Sequence, residues 1–462
     1  MILLTIKRVY NRNLCCEKNR YIFTKTISNF QNVVNIYSKK YLLKKAAAKI
    51  RKKCVLLPPE ISTTRLMGKQ ILRNKCAQYR APQIAKEKGI YPYYKAIETE
   101  QSTVVKIDGK DVLMFSSNSY LGLSNDPRLK EAAKAAIDKY GTSCSGSRFL
   151  NGTLDIHVEL ENKLAQLVGK DEALCFSTGF QVNLGVVSAL CGRNDYLLLD
   201  RLDHASIIEG SRLAFGKSLK YAHNDMEDLE KCLQQCDPES VKLIVADGVF
   251  SMEGDIVPLP EMVALAEKYD AEIMLDDAHS IGVLGHQGRG TASHFALTDK
   301  VDLIMGTFSK SFGSLGGFIA SDSDTINYLK HNARSLIFSA SMPPSNVAAV
   351  SKAIDIMLDE PERIQHLWDV SNYARNQFKE RGFDTGRSET PIIPLFVRNS
   401  EKAFWLCSRL LEDGVFVTPV IAPAVPENDV LIRFALMATH TYEQVDEAID
   451  KITKAFKIAG VL

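Results

Sequence analysis

Met305-Gly306-Thr307-Phe308-Ser309-Lys310-Ser311-Phe312-Gly313 carries an apolar strand end into hydroxyls, a single lysine and glycines. Most lysines are solvated surface charges. This one stands just beyond a buried strand, where Thr307 and Ser309 offer hydroxyls to a phosphate and the glycines let backbone amides approach one. Outward from it, short apolar runs at Ala173 to Phe176, Tyr196 to Leu199, Leu243 to Ala246, Glu272 to Leu275, Leu303 to Met305 and Gly317 to Ala320 read as strands. Between them, Ile156 to Leu167, Met226 to Cys236 and Pro260 to Tyr269 repeat apolar residues at three and four positions, the spacing of amphipathic helices. Strand and helix in alternation predict an α/β fold, a large, doubly wound, mostly parallel sheet. Near Pro343-Pro344 the pattern changes to long helices, Ser345 to Asp359 and Pro361 to Arg381, then to strands at Ile392 to Val397 and Val430 to Phe434. The expected layout is a leader over 1–66, an N-terminal segment over 67–111, a large domain over 112–344 and a small C-terminal α+β domain over 345–462. The site is expected between the large sheet's strand ends and the small domain.

Three more segments have the same form, an apolar strand ending in polar groups. Ile273-Met274-Leu275-Asp276-Asp277-Ala278-His279 ends in two carboxylates and a histidine. A carboxylate buried there needs a partner. A protonated pyridine nitrogen is one; an N-cap or metal-ligand role for Asp276, and a satisfied core position for His279, are the alternatives. Asp203-His204-Ala205-Ser206 places an imidazole where it can stack on a flat ring, or else forms a turn capped by Asp203. Ser177-Thr178-Gly179-Phe180 is a strand-to-helix turn whose amides point at an anion, or a plain glycine turn. Strand ends of an open α/β sheet line one crevice, so the four segments converge. A lysine for an imine, an acid for a ring nitrogen, a planar stacker and a phosphate cradle together describe pyridoxal phosphate.

Composition narrows the classes. The chain has 462 residues, 45% hydrophobic and 24% charged, which excludes a disulfide-stapled or disordered protein and suffices for two or three domains. Its ten cysteines are scattered, and no Cys or His grouping has zinc spacing, so free thiols in a reducing cytoplasm and no metal site are expected. The first fifty-three residues hold fourteen Lys or Arg against one acid, Glu17, so the overall charge of +2 leaves an acidic body. Such a body does not suit nucleic acid. The basic leader reads as a solvated tail, as residues upstream of a start at Met67, or as a cationic helix touching the inner face of a membrane. No apolar run reaches the roughly 18 residues needed to span a bilayer.

From about Gly89 to Leu462 the chain resembles the α-oxoamine synthases, fold-type I pyridoxal-phosphate transferases. The resemblance is carried by Gly146-Ser147-Arg148-Phe149-Leu150-Asn151-Gly152-Thr153, by Asp247-Gly248-Val249-Phe250-Ser251-Met252-Glu253-Gly254-Asp255 and by Gly306-Thr307-Phe308-Ser309-Lys310-Ser311. Ser309 discriminates, because relatives making aminolevulinate, aminooxononanoate or aminoketobutyrate typically have glycine before the lysine. The chain is thus most similar to the branch whose soluble bacterial members join L-serine to palmitoyl-CoA. The resemblance implies that Lys310 carries the cofactor, Asp276 pairs with its ring nitrogen and His204 stacks on the ring. His279 and Ser251 would meet the ring's phenolic oxygen region, while Gly179, Phe180, Thr307 and Ser309 hold the phosphate. Asn118 and Arg433 would meet the amino-acid carboxylate. A homodimer acting on L-serine and a long-chain acyl-CoA is implied. Two departures stand out: Thr418 to Ile432 holds no basic residue where such enzymes can carry a mobile arginine, and Asp277 replaces a frequent glutamate. The competing readings are a sibling synthase using cysteate, glycine or another acyl-CoA, a non-catalytic partner subunit, and a membrane scaffold. Lys310, Asp276 and His204 together argue against the non-catalytic subunit, and lipid sedimentation with and without residues 1–66 tests the scaffold.

Overall fold

The computed structural model describes residues 70–462, and the chain divides into two compact units, Met1–Ile84 and Ala85–Leu462. In the first, residues 70–77 form an exposed helix; the leader over 1–66 and its membrane reading lie outside the described residues. The second unit contains everything that follows.

It opens with a hairpin, β1 (Val104–Ile107) and β2 (Lys110–Met114), whose turn residues Asp108 and Gly109 both have positive φ, 50° and 73°. That dipeptide is a strong hairpin signal, and the expected N-terminal segment had no strand there. Helices α1 (Pro127–Tyr140) and α2 (Asp155–Val168) lead into β3 (Glu172–Phe176), α3 (Gly179–Leu190), β4 (Tyr196–Asp200), α4 (Ala205–Leu213), β5 (Lys217–Tyr221) and α5 (Met226–Leu233). Then come β6 (Lys242–Asp247), α6 (Leu259–Tyr269), β7 (Glu272–Asp276), β8 (Leu303–Thr307), β9 (Gly317–Ser321) and α7 (Ser323–Asn332). The strands form one sheet of order β3-β9-β8-β7-β6-β4-β5, in which only β9 runs against its neighbours. The six strands read from sequence are all present. The seventh, β5, escaped because Lys-Ser-Leu-Lys-Tyr is a charged, exposed edge, a composition that protects an unpaired strand.

Alternation along each strand sorts its side chains to two buried faces. Ala173, Leu198, Ile244, Ile273 and Ile304 pack with α2, α5 and α6 on one face. Leu174, Leu197, Leu243, Met274 and Leu303 pack with α3 and α7 on the other. Helix α8 (Pro344–Asp359) also joins the first face, through Val347, Val350 and Ile354. A further core gathers α9 (Glu362–Glu380), β10 (Ile392–Phe396), α10 (Ser400–Glu412), β13 (Leu431–Ala435) and α11 (Tyr442–Ile458). Its sheet has the order β10-β13-β12, with β12 at Thr418–Val420, and β11 (Val415–Phe416) pairs in parallel with β2.

The carboxyl ends of β3, β4, β6, β7 and β8 share one edge of the large sheet with the start of β9. Packing is close where these meet: a methyl on Gly317 would lie 2.8 Å from Gly179 Cα and 2.9 Å from Gly306 O, all backbone. Gly317→Ala is therefore expected to force β9 from the α3 turn and cost about 1–3 kcal/mol. Scanning calorimetry of the apoprotein checks this; a melting temperature equal to wild type would contradict it.

Candidate active site

Lys310 lies three residues past β8, His204 four past β4, His279 three past β7, and Asp276 ends β7. They ring an inner cavity of about 260 Å³, together with Gly179, Phe180, Thr307 and Ser309. His204, His279 and Lys310 also line an outer cavity of about 530 Å³, which continues to Asn118, Ser251 and Arg433 and is walled by the loop from Thr418 to Ala424. Every site residue named from sequence thus faces one of two adjoining spaces.

The inner cavity has an anion-binding end. Thr178 caps α3: its hydroxyl accepts from Gln181 N at 3.2 Å and its carbonyl from Val182 N. The amides of Gly179 and Phe180 remain as the first-turn donors without a partner among the described residues. The Thr307 and Ser309 hydroxyls sit 3.1 Å apart beside them. A methyl at Gly179 would come within 2.8 Å of Thr307 Oγ1, so glycine keeps this cradle open.

The opposite end is acidic. Adjacent strands β4, β6 and β7 close on Asp200, Asp247 and Asp276, all buried. Asp276 Oδ2 accepts from Asn183 Nδ2 at 2.7 Å and Oδ1 from Ala278 N at 3.0 Å. Asn183 also donates to Ser206 Oγ at 2.8 Å, and that hydroxyl lies 2.7 Å from His204 Nδ1. Nδ1 accepts from Ser206 N at 3.3 Å, so it is the bare nitrogen and the Ser206 hydroxyl donates to it as well, leaving the neutral His204 imidazole protonated at Nε2. The α4 cap is His204 itself, not Asp203. Asp247 accepts from His204 N at 2.8 Å; burial, then the neighbouring Asp276, pushes its carboxyl well above the usual range. Asp277 turns instead to Thr291 N, 2.9 Å away, with burial raising its carboxyl to about 6.

Burial lowers the Lys310 amine to about 8, with Asp276 and Asp247 opposing that fall and Arg433 adding to it. His279 is held well below its ordinary value by burial and by Lys310 and Arg433, and His204 is lowered by burial. Arg433 is anchored by donating to Ser251 O at 2.7 Å and to Tyr120 Oη at 3.2 Å. Asn118 Oδ1 is buried on the outer cavity with no hydrogen-bond partner among the described residues.

The profile of the class I and class II aminotransferases matches residues 110–452. The chain is 61% identical over 395 residues to the serine palmitoyltransferase of Sphingobacterium spiritivorum, covering 86% of this chain and 99% of that one. It is 57% identical to that of Bacteroides ovatus, covering 85% and 100%. A serine palmitoyltransferase from S. paucimobilis, solved with a bound PLP–myriocin aldimine, superposes with a TM-score of 0.82 at 34% identity, over 85% of this chain and 99% of that one. The chain belongs to the class I and II aminotransferase family, as an α-oxoamine synthase.

Members of this α-oxoamine synthase branch use pyridoxal phosphate, and the residues present fit it. The cavity offers an amine to the aldehyde, a carboxylate to the ring nitrogen, and hydroxyls with a helix N-terminus to the phosphate. The orphaned Asn118 oxygen and the glycine-lined cradle are further signs of a space built for a ligand. Sequence reading missed Asn183, Ser206, Asp247 and Tyr120. Asp247 could have been found, since Leu243 to Asp247 repeats the strand-ending-in-acid pattern of Asp276, and Ser206 stands two residues from His204; Asn183 and Tyr120 matter only through neighbours distant in the chain.

Behind the site, His223 Nδ1 lies 3.1 Å from Asp200 Oδ1 and Nε2 lies 3.0 Å from Asp255 Oδ2. Burial opposes a charge here, but the hydrogen bonds to Asp200 and Asp255 prevail and raise the imidazole to about 10. Unfolded histidine titrates near roughly 6.5. The bound proton therefore stabilises the fold fully below that pH and is lost as pH rises through about 10. His223→Gln should remove this dependence, so the gap between wild-type and variant melting temperatures narrows from pH 6.5 to 10. A gap independent of pH would contradict it.

Proposed function

We propose that this chain condenses L-serine with palmitoyl-CoA, releasing carbon dioxide and coenzyme A and giving 3-ketodihydrosphingosine. The observation that carries the reading is the position of Lys310, at the junction of the inner cavity and an outer cleft with one anchored guanidinium. Bound in the inner cavity, pyridoxal phosphate supplies a cationic ring that draws electron density from the amino acid's Cα.

This chain's residues do the rest. Asp276 holds a proton at the ring nitrogen, and Asn183 and Ala278 N keep its carboxylate in place. His204 would stack on the ring, Gly179, Phe180, Thr307 and Ser309 would hold the phosphate, and His279 and Ser251 would serve the phenolic oxygen. Arg433, with two donors committed to Ser251 and Tyr120, turns the remaining ones of its fork to the serine carboxylate beside Asn118. Lys310 takes the Cα proton and returns one after carbon–carbon bond formation and loss of carbon dioxide; a proton affinity near 8 suits both tasks. Between Pro419 and Ala424 the outer wall is uncharged, which suits an acyl thioester. We also propose a homodimer, supported by the exposed Phe180 and Leu315 at the inner cavity and by exposed Phe149, Leu150 and Phe338. Among the described residues no helix is long and apolar enough to cross a membrane; a cytoplasmic position beside the membrane's inner face suits the acyl substrate.

The test is turnover. Protein loaded with pyridoxal phosphate should release thiol and carbon dioxide from L-serine and palmitoyl-CoA in equal amounts, and Lys310→Ala should lower the rate by at least about a thousandfold. The free Lys310 amine of the apoprotein should take up the cofactor faster as pH rises, levelling above about 8. Turnover confined to glycine, cysteate or short acyl-CoA would replace this reading with a sibling synthase.

A further inference from the structure

Tyr120 is completely buried and lines neither cavity, yet its hydroxyl joins two groups that do. Its oxygen lies 2.6 Å from His279 Nδ1 and 3.2 Å from Arg433 Nη2. The backbone around it is clamped: Tyr120 N donates to Asn118 O at 2.8 Å, and Tyr120 O accepts from Ala438 N at 2.6 Å. The side chain is enclosed on all sides, and its hydroxyl has no further partner among the described residues.

The direction of each bond follows from valence. A guanidinium has no acceptor, so Arg433 donates and the phenol oxygen accepts. The single phenolic proton then has one acceptor among the described residues, His279 Nδ1. A neutral imidazole that accepts at Nδ1 carries its proton at Nε2. Burial keeps this ring neutral, with the positive charges of Lys310 and Arg433 reinforcing the effect. Nε2 is left without a partner among the described residues, on a ring that borders both cavities.

We propose that Tyr120 is a positioning residue that fixes His279 as the Nε2–H tautomer and ties it to Arg433, so that one phenol sets both the donor facing the cofactor space and the guanidinium facing the substrate. The tautomer follows from the apoprotein's geometry alone; the tie to substrate rests on the reading of Arg433 as the carboxylate site. A lone histidine could turn over and present an acceptor. This one presents a donor only, and the charge-assisted bond from Arg433 polarises the phenol and strengthens its bond to Nδ1.

Tyr120→Phe removes the oxygen and keeps the ring. In histidine-labelled apoprotein, with the signal assigned by its loss in His279→Asn, nitrogen NMR should show Nε2 protonated and Nδ1 bare in wild type. In Tyr120→Phe the two nitrogens should move toward averaged shifts. In holoprotein the same variant should weaken L-serine binding about tenfold, the scale of one lost hydrogen bond to a charged group, as read from the cofactor's visible band. A wild-type His279 protonated at Nδ1 overturns the proposal even if the variant fails to fold. Wild-type nitrogen shifts in Tyr120→Phe also overturn it, and a changed tautomer with unchanged serine affinity overturns the tie to Arg433. Serine that leaves the wild-type band unmoved counts instead against the assigned substrate, because the nitrogen spectrum needs no substrate.

Discussion

Three neighbouring strands of one buried sheet edge end in carboxylates, Asp200, Asp247 and Asp276, and the rest of the site is arranged around that concentration of acid. An unpaired charge in such a place costs several kcal/mol. The surrounding chain offsets it differently at each position. His223 bridges Asp200 to Asp255, Asp247 binds a proton more readily while taking the His204 amide, and Asp276 is supported by Asn183 and the Ala278 amide. Asp247 and Asp276 both line the inner cavity and act on the cation Lys310, and Asp276 has both of its oxygens held in place, by Asn183 and the Ala278 amide. A carboxylate so placed is prepared to meet a cationic ring.

Lys310 is the counterpart of this acid. Enclosure lowers its proton affinity while the aspartates raise it, and the balance near 8 leaves an amine that is easily neutral yet able to take up a proton. The two imidazoles are governed in the same manner. Ser206 donates to Nδ1 of His204 and Tyr120 to Nδ1 of His279, so both rings turn a protonated Nε2 outward. Hydroxyls held by an amide in one case and a guanidinium in the other thus decide what the cavity sees.

The sheet was legible because each central strand is an unbroken apolar run whose polar residues begin where the strand stops; Leu303 to Lys310 and Ile273 to His279 mark both the fold and the site in one reading. The charged edge strand β5 and the hairpin were not. Lys217 to Tyr221 mixes charge with strand and has no periodicity to separate it from a loop, and β1 and β2 announce themselves only through Asp108-Gly109. Residues that touch a ligand could be named because their chemistry is local to a strand end. Asn183, in the second turn of α3, and Tyr120, in a loop of the N-terminal half, owe their importance to contacts 93 and 313 residues away, with Asp276 and Arg433. No pattern along the chain reports such distances.

The central claim is that one amine, between the acid row and the phosphate cradle, holds the cofactor. Borohydride reduction of the holoprotein, followed by proteolysis and mass spectrometry, tests it most directly. The account predicts a single pyridoxyl adduct, on the peptide containing Lys310. An adduct on another lysine, or none at full cofactor loading, would contradict it.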